Sequence, residues 1–370
     1  MTTPSVAELF VELARIPSPP GHERAVAERV RVHLAQLGLT VEEDASASVT
    51  GSDVGNLYAC LEPTATGRPI LLCAHLDTVP PEGEIDPVIA DGVIANRRRT
   101  ILGADDKAAV AVMLDAVRRI VLDRIPHGGI ELVFTTREEQ GLQGARAFDA
   151  GRLRAQLGYV YDQASPIGDV ILSSVWGELV QATFHGRAAH AGMYPRQGRS
   201  AIAAAAMAIS EMRLGAIDDA TSANVGLIEG GSAANVVPAS CAIVAEVRSR
   251  DHAAFAAVTE EMLAALRRGA QHHGCTVDIA TTRLADGYRF GQEDAPVRLA
   301  AEALRRCGVK PRFIHSGGGS DANVFNERGL PCVNLANGMV DIHTSDERVA
   351  IADLEAMVEV TLGLVAAARG

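Results

Sequence analysis

The sequence predicts an α/β fold, a mixed sheet covered by helices, carrying an inserted α+β segment. Three observations predict it. Toward both ends of the chain, apolar runs of strand length alternate with stretches of helical periodicity. Between residues 175 and 286 the texture changes to several alternating strand-like runs around two helical ones. At 370 residues the chain also exceeds the size at which one core usually keeps growing. The expected organisation is a discontinuous domain, 1–174 and 287–370, interrupted by a domain over 175–286.

Residues 4–38 read as two helices, "SVAELFVELARI" and "ERAVAERVRVHLAQLG", the second closed by Gly38, with the loop "PSPPGHE" between them. Strand-like runs follow in "GNLYACLEP", "PILLCAHLDTV", "GIELVFTT" and "QLGYVYD". Between the second and third lies "DDKAAVAVMLDAVRRIVLD", where Val110, Met113, Leu114, Val117 and Val121 recur at helical spacing. In the inserted segment "GELVQATFHG", "SANVGLIEGG", "CAIVAEVRS" and "CTVDIATTR" read as strands, and 200–212 and 252–268 as helices. The expectation there is two helices on an antiparallel sheet, with "GELVQATFHG" as an edge strand able to pair across a two-fold axis. The strand and helix rhythm returns in "PRFIHS", "DANVFNERG" and "PCVNLA", and a helix from Asp353 closes the chain.

A net charge of −12 argues against a phosphate-neutralising surface, so nucleic acid is not an expected partner. Six cysteines lack C-x-x-C spacing and lie largely in apolar runs, which suits buried free thiols in a reducing compartment. The N-terminal residues lack a basic region followed by an apolar stretch, and the longest near-apolar run is far below the ~20 residues of a membrane span. A cytoplasmic protein without a membrane partner is expected.

The polar residues carry a second pattern. His75 and Asp77, Glu138 and Glu139, Asp162 and later His343 each follow an apolar strand-like run. Ligands of α/β sheets bind beyond the carboxyl ends of the strands, so these side chains are placed to converge. "TILGADDKAA" adds Asp105 and Asp106 at a glycine-preceded helix start; one of them suffices to cap the helix, leaving the other for a different task. Taken singly, Asp77 also reads as a strand-end cap, the glutamate pair as a solvated loop and His343 as a surface histidine. Taken together they form a carboxylate cluster whose mutual repulsion a divalent metal would relieve. Two histidines among carboxylates favour zinc or a similar first-row ion over calcium.

Six motifs, "AHLDTV", "LGADDKA", "REEQGLQGA", "GRAAHAGMYP", "EGGSAANVVP" and "GGGSDANVFNERGLPCVNLANGMVDIHT", occur in order along nearly the whole chain. Together they resemble the peptidase T-like branch of the two-metal aminoacylase and carboxypeptidase superfamily. The resemblance implies a zinc-exopeptidase-like catalytic domain and an inserted lid or dimerisation domain. It implies that His75, Asp105 and Asp162 hold one zinc ion, and Asp105, Glu139 and His343 the other, with cobalt or manganese as possible substitutes. It further implies that Asp77 orients His75, that Glu138 is the general acid/base, and that His190 in "GRAAHAG" reaches the developing oxyanion. Asn235 and Arg248 match positions that grip the substrate. An ion pair of Arg248 with Glu246 or Asp251 is the alternative. The stretch containing Gly319 and Ser320 reads as a backbone cradle for a substrate anion, or as a plain turn capped by Ser320. Hydrolysis of short peptides, as a tripeptide aminopeptidase, is the activity implied. Deacylation of an N-acyl amino acid, or peptide cleavage from the C-terminus, is the alternative, and a non-catalytic binding protein the reading of another class. A homodimer through the inserted domain is also implied. The sequence departs from the pattern at Arg97, Arg98 and Arg99, where relatives usually have a polar turn; these read as solvated or as altering the rim of the site.

Overall fold

In the computed structural model, which describes residues 4–370, the chain divides into two compact units, Met1–Ser173 with Arg289–Gly370, and Ser174–Tyr288. The first unit begins with helices α1 (Val6–Ala14) and α2 (Arg24–Gln36), strand β1 (Val41–Glu43), a short helix α3 (Ala47–Thr50) and strands β2 (Leu57–Leu61), β3 (Ile70–His75), β4 (Pro87–Ala90) and β5 (Val93–Asn96). Then come α4 (Ala104–Leu122), β6 (Ile130–Thr135), α5 (Gln143–Ala147), β7 (Leu157–Gln163) and β8 (Asp169–Ser173). Ser5 starts α1 with a capping box, its side chain and that of Glu8 each accepting the other's backbone N–H.

The inserted unit contains β9 (Trp176–His185), α6 (Ala201–Glu211), β10 (Gly215–Ala216), β11 (Thr221–Gly230), β12 (Ser240–Ser249), α7 (His252–His272) and β13 (Thr276–Ala285). The chain then completes the first unit with α8 (Ala295–Arg306), β14 (Arg312–His315), α9 (Asp321–Glu327), β15 (Cys332–Ala336), β16 (Arg348–Ala350) and α10 (Ile351–Ala367). The expected α/β fold with its α+β insert is therefore present.

The main sheet runs β1-β2-β6-β3-β7-β15-β8-β14 and is mixed. Strand β3 pairs in parallel with β6 and β7, and β7 with β15, so the carboxyl ends of four neighbouring strands open on one edge. Every residue of β3, β6 and β15 is buried, which is why these strands read as largely apolar runs rather than as alternation, with Glu131 of β6 and Asn334 of β15 as buried, hydrogen-bonded polar exceptions. Helix α4 packs on β3 and β7 and is covered in turn by α1, α2 and α10. Most of its residues are buried all round, so the stripe from Val110 to Val117 is one part of a helix surrounded by core. A small second sheet, β16-β5-β4, which the sequence does not signal, pairs the 87–96 hairpin with the far C-terminal region.

In the inserted unit α6 and α7 pack against each other and on the five-stranded antiparallel sheet β10-β11-β12-β9-β13. The alanine-rich α6 lets the helices approach closely: a Cβ on Gly269 of α7 would lie 2.5 Å from the Ala204 carbonyl. One expectation is overturned. "GELVQATFHG" is β9, and it pairs along its length with β12 on one side and β13 on the other. Its alternating pattern reflects one covered face, not a free edge. The sheet is bounded by β13 on one side and, on the other, by β10 and the end of β11 that β10 leaves unpaired, where Leu227 and Ile228 stand exposed.

Candidate metal centre

The carboxyl ends of the parallel strands deliver the acids and histidines to one cavity of about 280 Å³, lined by Asp105, Glu138, Glu139, Asp162, Gly319 and His343 among others. Strand β3 ends at His75. The His75 Nδ1–H donates to the Asp77 carbonyl at 2.9 Å, which leaves Nε2 with its lone pair toward the cluster in the neutral ring. The Asp77 carboxylate lies 3.5 Å from the same nitrogen. Its shorter contacts are elsewhere, with the backbone N–H groups of Glu138 at 2.9 Å and Glu139 at 3.1 Å. Asp77 thus ties the ring of one strand end to the glutamate loop of the next.

Asp105 stands at the centre. Its Oδ1 is 3.2 Å from His75 Nε2 and its Oδ2 is 3.1 Å from His343 Nε2, so the two oxygens face different histidines. Glu139 Oε1 lies 2.8 Å from the same nitrogen of His343. His343 itself adopts a left-handed backbone conformation, φ 63°, in the loop beyond β15. Donor atoms of His75, Asp105 and Glu139 lie within 4.8 Å of one another, as do those of His75, Glu138 and Asp162. Neither grouping is a set that the resemblance implies: His75 stands in both, Glu139 joins it beside Asp105, and Glu138 takes the place of Asp105 beside Asp162.

The electrostatics suit a pair of cations. Burial raises the Glu138 carboxyl well above its ordinary range, with further repulsion from Asp321 and Glu139. Burial likewise raises Asp162, and Asp105 and Glu138 add to it. Asp105 is the exception: burial would raise it, but hydrogen bonds from His343 and His75 outweigh that and hold it well below the usual carboxylate range. Hydrogen bonds to Asp105 and Glu139 push His343 up to about 10. For His75, burial alone would lower the value, and its contacts with Asp105 and Asp77 carry it well above the ordinary one. The cluster therefore demands positive charge, which metal-free protein can take only as protons. A mixed imidazole and carboxylate set, with one carboxylate facing two histidines, fits divalent first-row ions.

Several supporting residues carry no signal in the sequence. Glu347, 2 % exposed, accepts the N–H groups of Leu102 and Gly103, both at 2.7 Å, and that of Asp105 at 3.0 Å. Gly103 takes φ 77° to make this turn, and the peptide from Asp105 to Asp106 is cis. Asp106 accepts the His75 N–H at 3.3 Å and the Asn337 side chain at 3.2 Å, which is the separate task for the second acid of the pair. Asn334 of β15 bonds both the backbone N–H and the carbonyl of Asp162, at 2.9 and 2.6 Å. The glutamate loop closes on Gly144, where a Cβ would lie 2.2 Å from the Thr136 carbonyl.

Other expected site residues are placed as follows. Ser320 precedes α9 and its N–H donates to the Asn323 side chain at 3.0 Å. In the inserted unit the His190 and Asn235 segments are adjacent, joined by the Ala191 N–H to the Asn235 carbonyl at 2.9 Å. His190 Nδ1 accepts the N–H groups of Gly192 and Met193 at 3.2 and 3.1 Å, so the neutral ring carries its proton on Nε2 as a donor. Arg248 pairs with Glu246 at 3.3 Å on β12.

Fold and cluster together define an α/β metallohydrolase. Residues 71–367 match the model of peptidase family M20/M25/M40, and the chain belongs to that family. It is 37% identical to the uncharacterised protein YqjE of Bacillus subtilis strain 168, over 97% of this chain and 96% of that one. Among solved structures it is similar to aminopeptidase PepT from Bacillus cereus ATCC 10987, with 37% identity, a TM-score of 0.94 and coverage of 99% and 98%. It is also similar to a tripeptidase from Staphylococcus aureus subsp. aureus Mu50, with 35% identity, a TM-score of 0.93 and the same coverage.

Proposed function

We propose that the protein is a two-metal exopeptidase that removes the N-terminal residue of short peptides, tripeptides foremost. The observation that carries the reading is the Asp105 carboxylate facing both His75 and His343, with Glu138 and Glu139 brought to the same cavity by one Asp77-anchored loop. The likeness to an aminopeptidase and a tripeptidase over nearly the full chain supports the choice of substrate.

His75, Asp105 and Asp162 would hold one ion and Asp105, Glu139 and His343 the other, zinc being the reading for both, with cobalt or manganese as substitutes. When bound, the ions supply Lewis acidity at the scissile carbonyl and lower the pKa of the attacking water. Glu138, whose carboxyl burial raises above its ordinary range, takes the proton of that water and returns it to the departing amine. Asp77 keeps Glu138 and Glu139 in register by accepting both of their N–H groups. His190 donates from Nε2 to the developing oxyanion. Asn235, and Arg248 released from a half-exposed and therefore weak ion pair with Glu246, position the peptide, with Gly319, which lines the same cavity as Glu139, and the neighbouring Ser320 as further contacts. A homodimer would use the exposed β11 edge at Leu227 and Ile228, which light scattering checks. No described helix is long and apolar enough to cross a membrane, and the cysteines are free thiols, in keeping with a cytoplasmic site of action.

The test is hydrolysis of a free tripeptide beside its N-acetylated twin, during titration of metal-free protein with zinc, cobalt and manganese. Cleavage of the free peptide alone, rising to a plateau at two ions per chain, is the expected result. Cleavage of the acetylated twin would replace the reading with a deacylase or carboxypeptidase.

A further inference from the structure

A second cavity, of about 500 Å³, adjoins the metal cluster and shares His343 with it. Its wall includes Val79, Ile101, Ser345, Glu82 and Arg99. Of the three consecutive arginines, Arg97 lies 3.5 Å from Asp86 and Arg98 lies 3.6 Å from Glu84. Among the described residues, Arg99 has no carboxylate within 4 Å; Glu82 stands on the same rim beyond that distance. The turn that presents Arg99 is pinned. The Asn96 side chain accepts the N–H groups of Asp86 and Arg98 and donates to the carbonyls of Thr100 and Ile101. Thr100 Oγ1 also accepts the Glu82 N–H at 2.7 Å. Two residues further on, this backbone enters the Leu102–Asp105 turn clasped by Glu347.

We infer that Arg99 is a specificity-determining residue, whose guanidinium binds a carboxylate of the substrate in the cavity beside His343. An exposed guanidinium with no carboxylate within 4 Å, carried by a pinned backbone turn on a concave wall next to the reacting centre, is the fork that a carboxylate matches with two hydrogen bonds. The partner is the peptide's own terminal carboxylate or an acidic side chain. The inference rests on the peptidase reading, and its test separates the two.

Steady-state kinetics of wild type and Arg99→Ala are measured on a neutral tripeptide, its C-terminal amide, and the same amide bearing one aspartate. Loss of a charge-assisted hydrogen bond should raise KM about tenfold for the carboxylate-bearing substrate, with kcat held. A rise for the neutral tripeptide but not its amide identifies the terminal carboxylate; a rise for the aspartyl amide alone identifies an acidic side chain. Equal effects on all three substrates, or none, overturn the inference. The same peptides are also titrated calorimetrically into metal-loaded Glu138→Gln with and without Arg99→Ala. Carboxylate-dependent weakening there upholds the subsite even if wild type turns over none of the peptides, a result that would sink the peptidase reading alone. Binding without carboxylate dependence, or no binding, overturns the subsite.

Discussion

Replacing Glu347 by alanine should cost more than any substitution of an exposed acid, although Glu347 is neither a proposed ligand nor a group in reach of substrate. Its carboxylate satisfies three backbone N–H groups in a buried turn, Oε2 serving Leu102 and Gly103 and Oε1 serving Asp105. An unpaired buried donor costs about 1–3 kcal/mol, so alanine should remove about 3–6 kcal/mol if partial solvent entry relieves some of the loss. Glutamine keeps one accepting oxygen for the Leu102 and Gly103 pair and turns an NH₂ toward the Asp105 N–H, so its cost should be that of one donor, about 1–3 kcal/mol. The same clasp holds the Asp105 backbone in place, and loosening a support of this kind typically weakens metal affinity about 10–100-fold. Denaturant unfolding of the EDTA-treated proteins, and calorimetric titration with zinc or manganese, should therefore rank wild type above Glu347→Gln above Glu347→Ala in both readouts. An alanine variant with wild-type unfolding midpoint and wild-type affinity would refute the reasoning.

Glu138→Gln should bind metal with little change and lose about 10²–10⁴-fold in turnover, measured as kcat on a free tripeptide; near-wild-type turnover would remove Glu138 from the acid/base role. The metal-free protein should become less stable as pH rises. Glu138 and Asp162 are raised above the carboxylate range, and His75 and His343 above 6.5, so the folded state holds protons that the unfolded chain has released. The carboxyl contribution is lost upward from about pH 4, and the histidine contribution fades above 6.5 and is gone for His343 by about 10, while the opposing window of Asp105 lies below its ordinary 3.8. Thermal unfolding in EDTA should thus shift downward between pH 5 and 7, below the range in which the buried Lys107 amine, lowered by burial to about 7, opposes the trend, and divalent ions should oppose the shift; a flat or rising Tm over that range in EDTA would contradict the assignment. Gly144→Ala drives a Cβ to 2.2 Å from the Thr136 carbonyl and 2.6 Å from Asn56 Oδ1, so it should lose about 1–3 kcal/mol and lower activity through the displaced glutamate loop, read by unfolding and kcat together.

Much of the catalytic unit was legible from residue order because its information is local. "ILLCA" is apolar throughout, as a strand buried on both faces must be, and the polarity begins at His75, its last residue. The same rule located Glu138, Glu139 and Asp162, since groups of acids without local partners are placed at the open carboxyl edge of such a sheet. The glycine before Asp105 marked the turn into α4, whereas the expected capping by one of the adjacent acids is absent, since no side chain caps α4 and both acids serve other partners. What residue order could not supply was the identity of distant partners. Glu347 closes on Leu102 across 245 positions, Asn337 reaches Asp106 across 231, and Asn334 reaches Asp162 across 172. Such hydrogen bonds have no period, and any buried polar residue elsewhere could have served. The place of β9 failed for the same reason: alternation reveals that one face is covered, whereas pairing on one side or two is fixed by which strands fold beside it. Sequence by itself determined which side chains stand at strand ends and helix starts, because periodicity and breakers act over a few residues. Tertiary structure alone decided that Asp105 faces two histidines at once and that Arg99 reaches the cavity beside His343 with no carboxylate within 4 Å among the described residues, because each depends on distances between segments that meet only when the sheet is assembled.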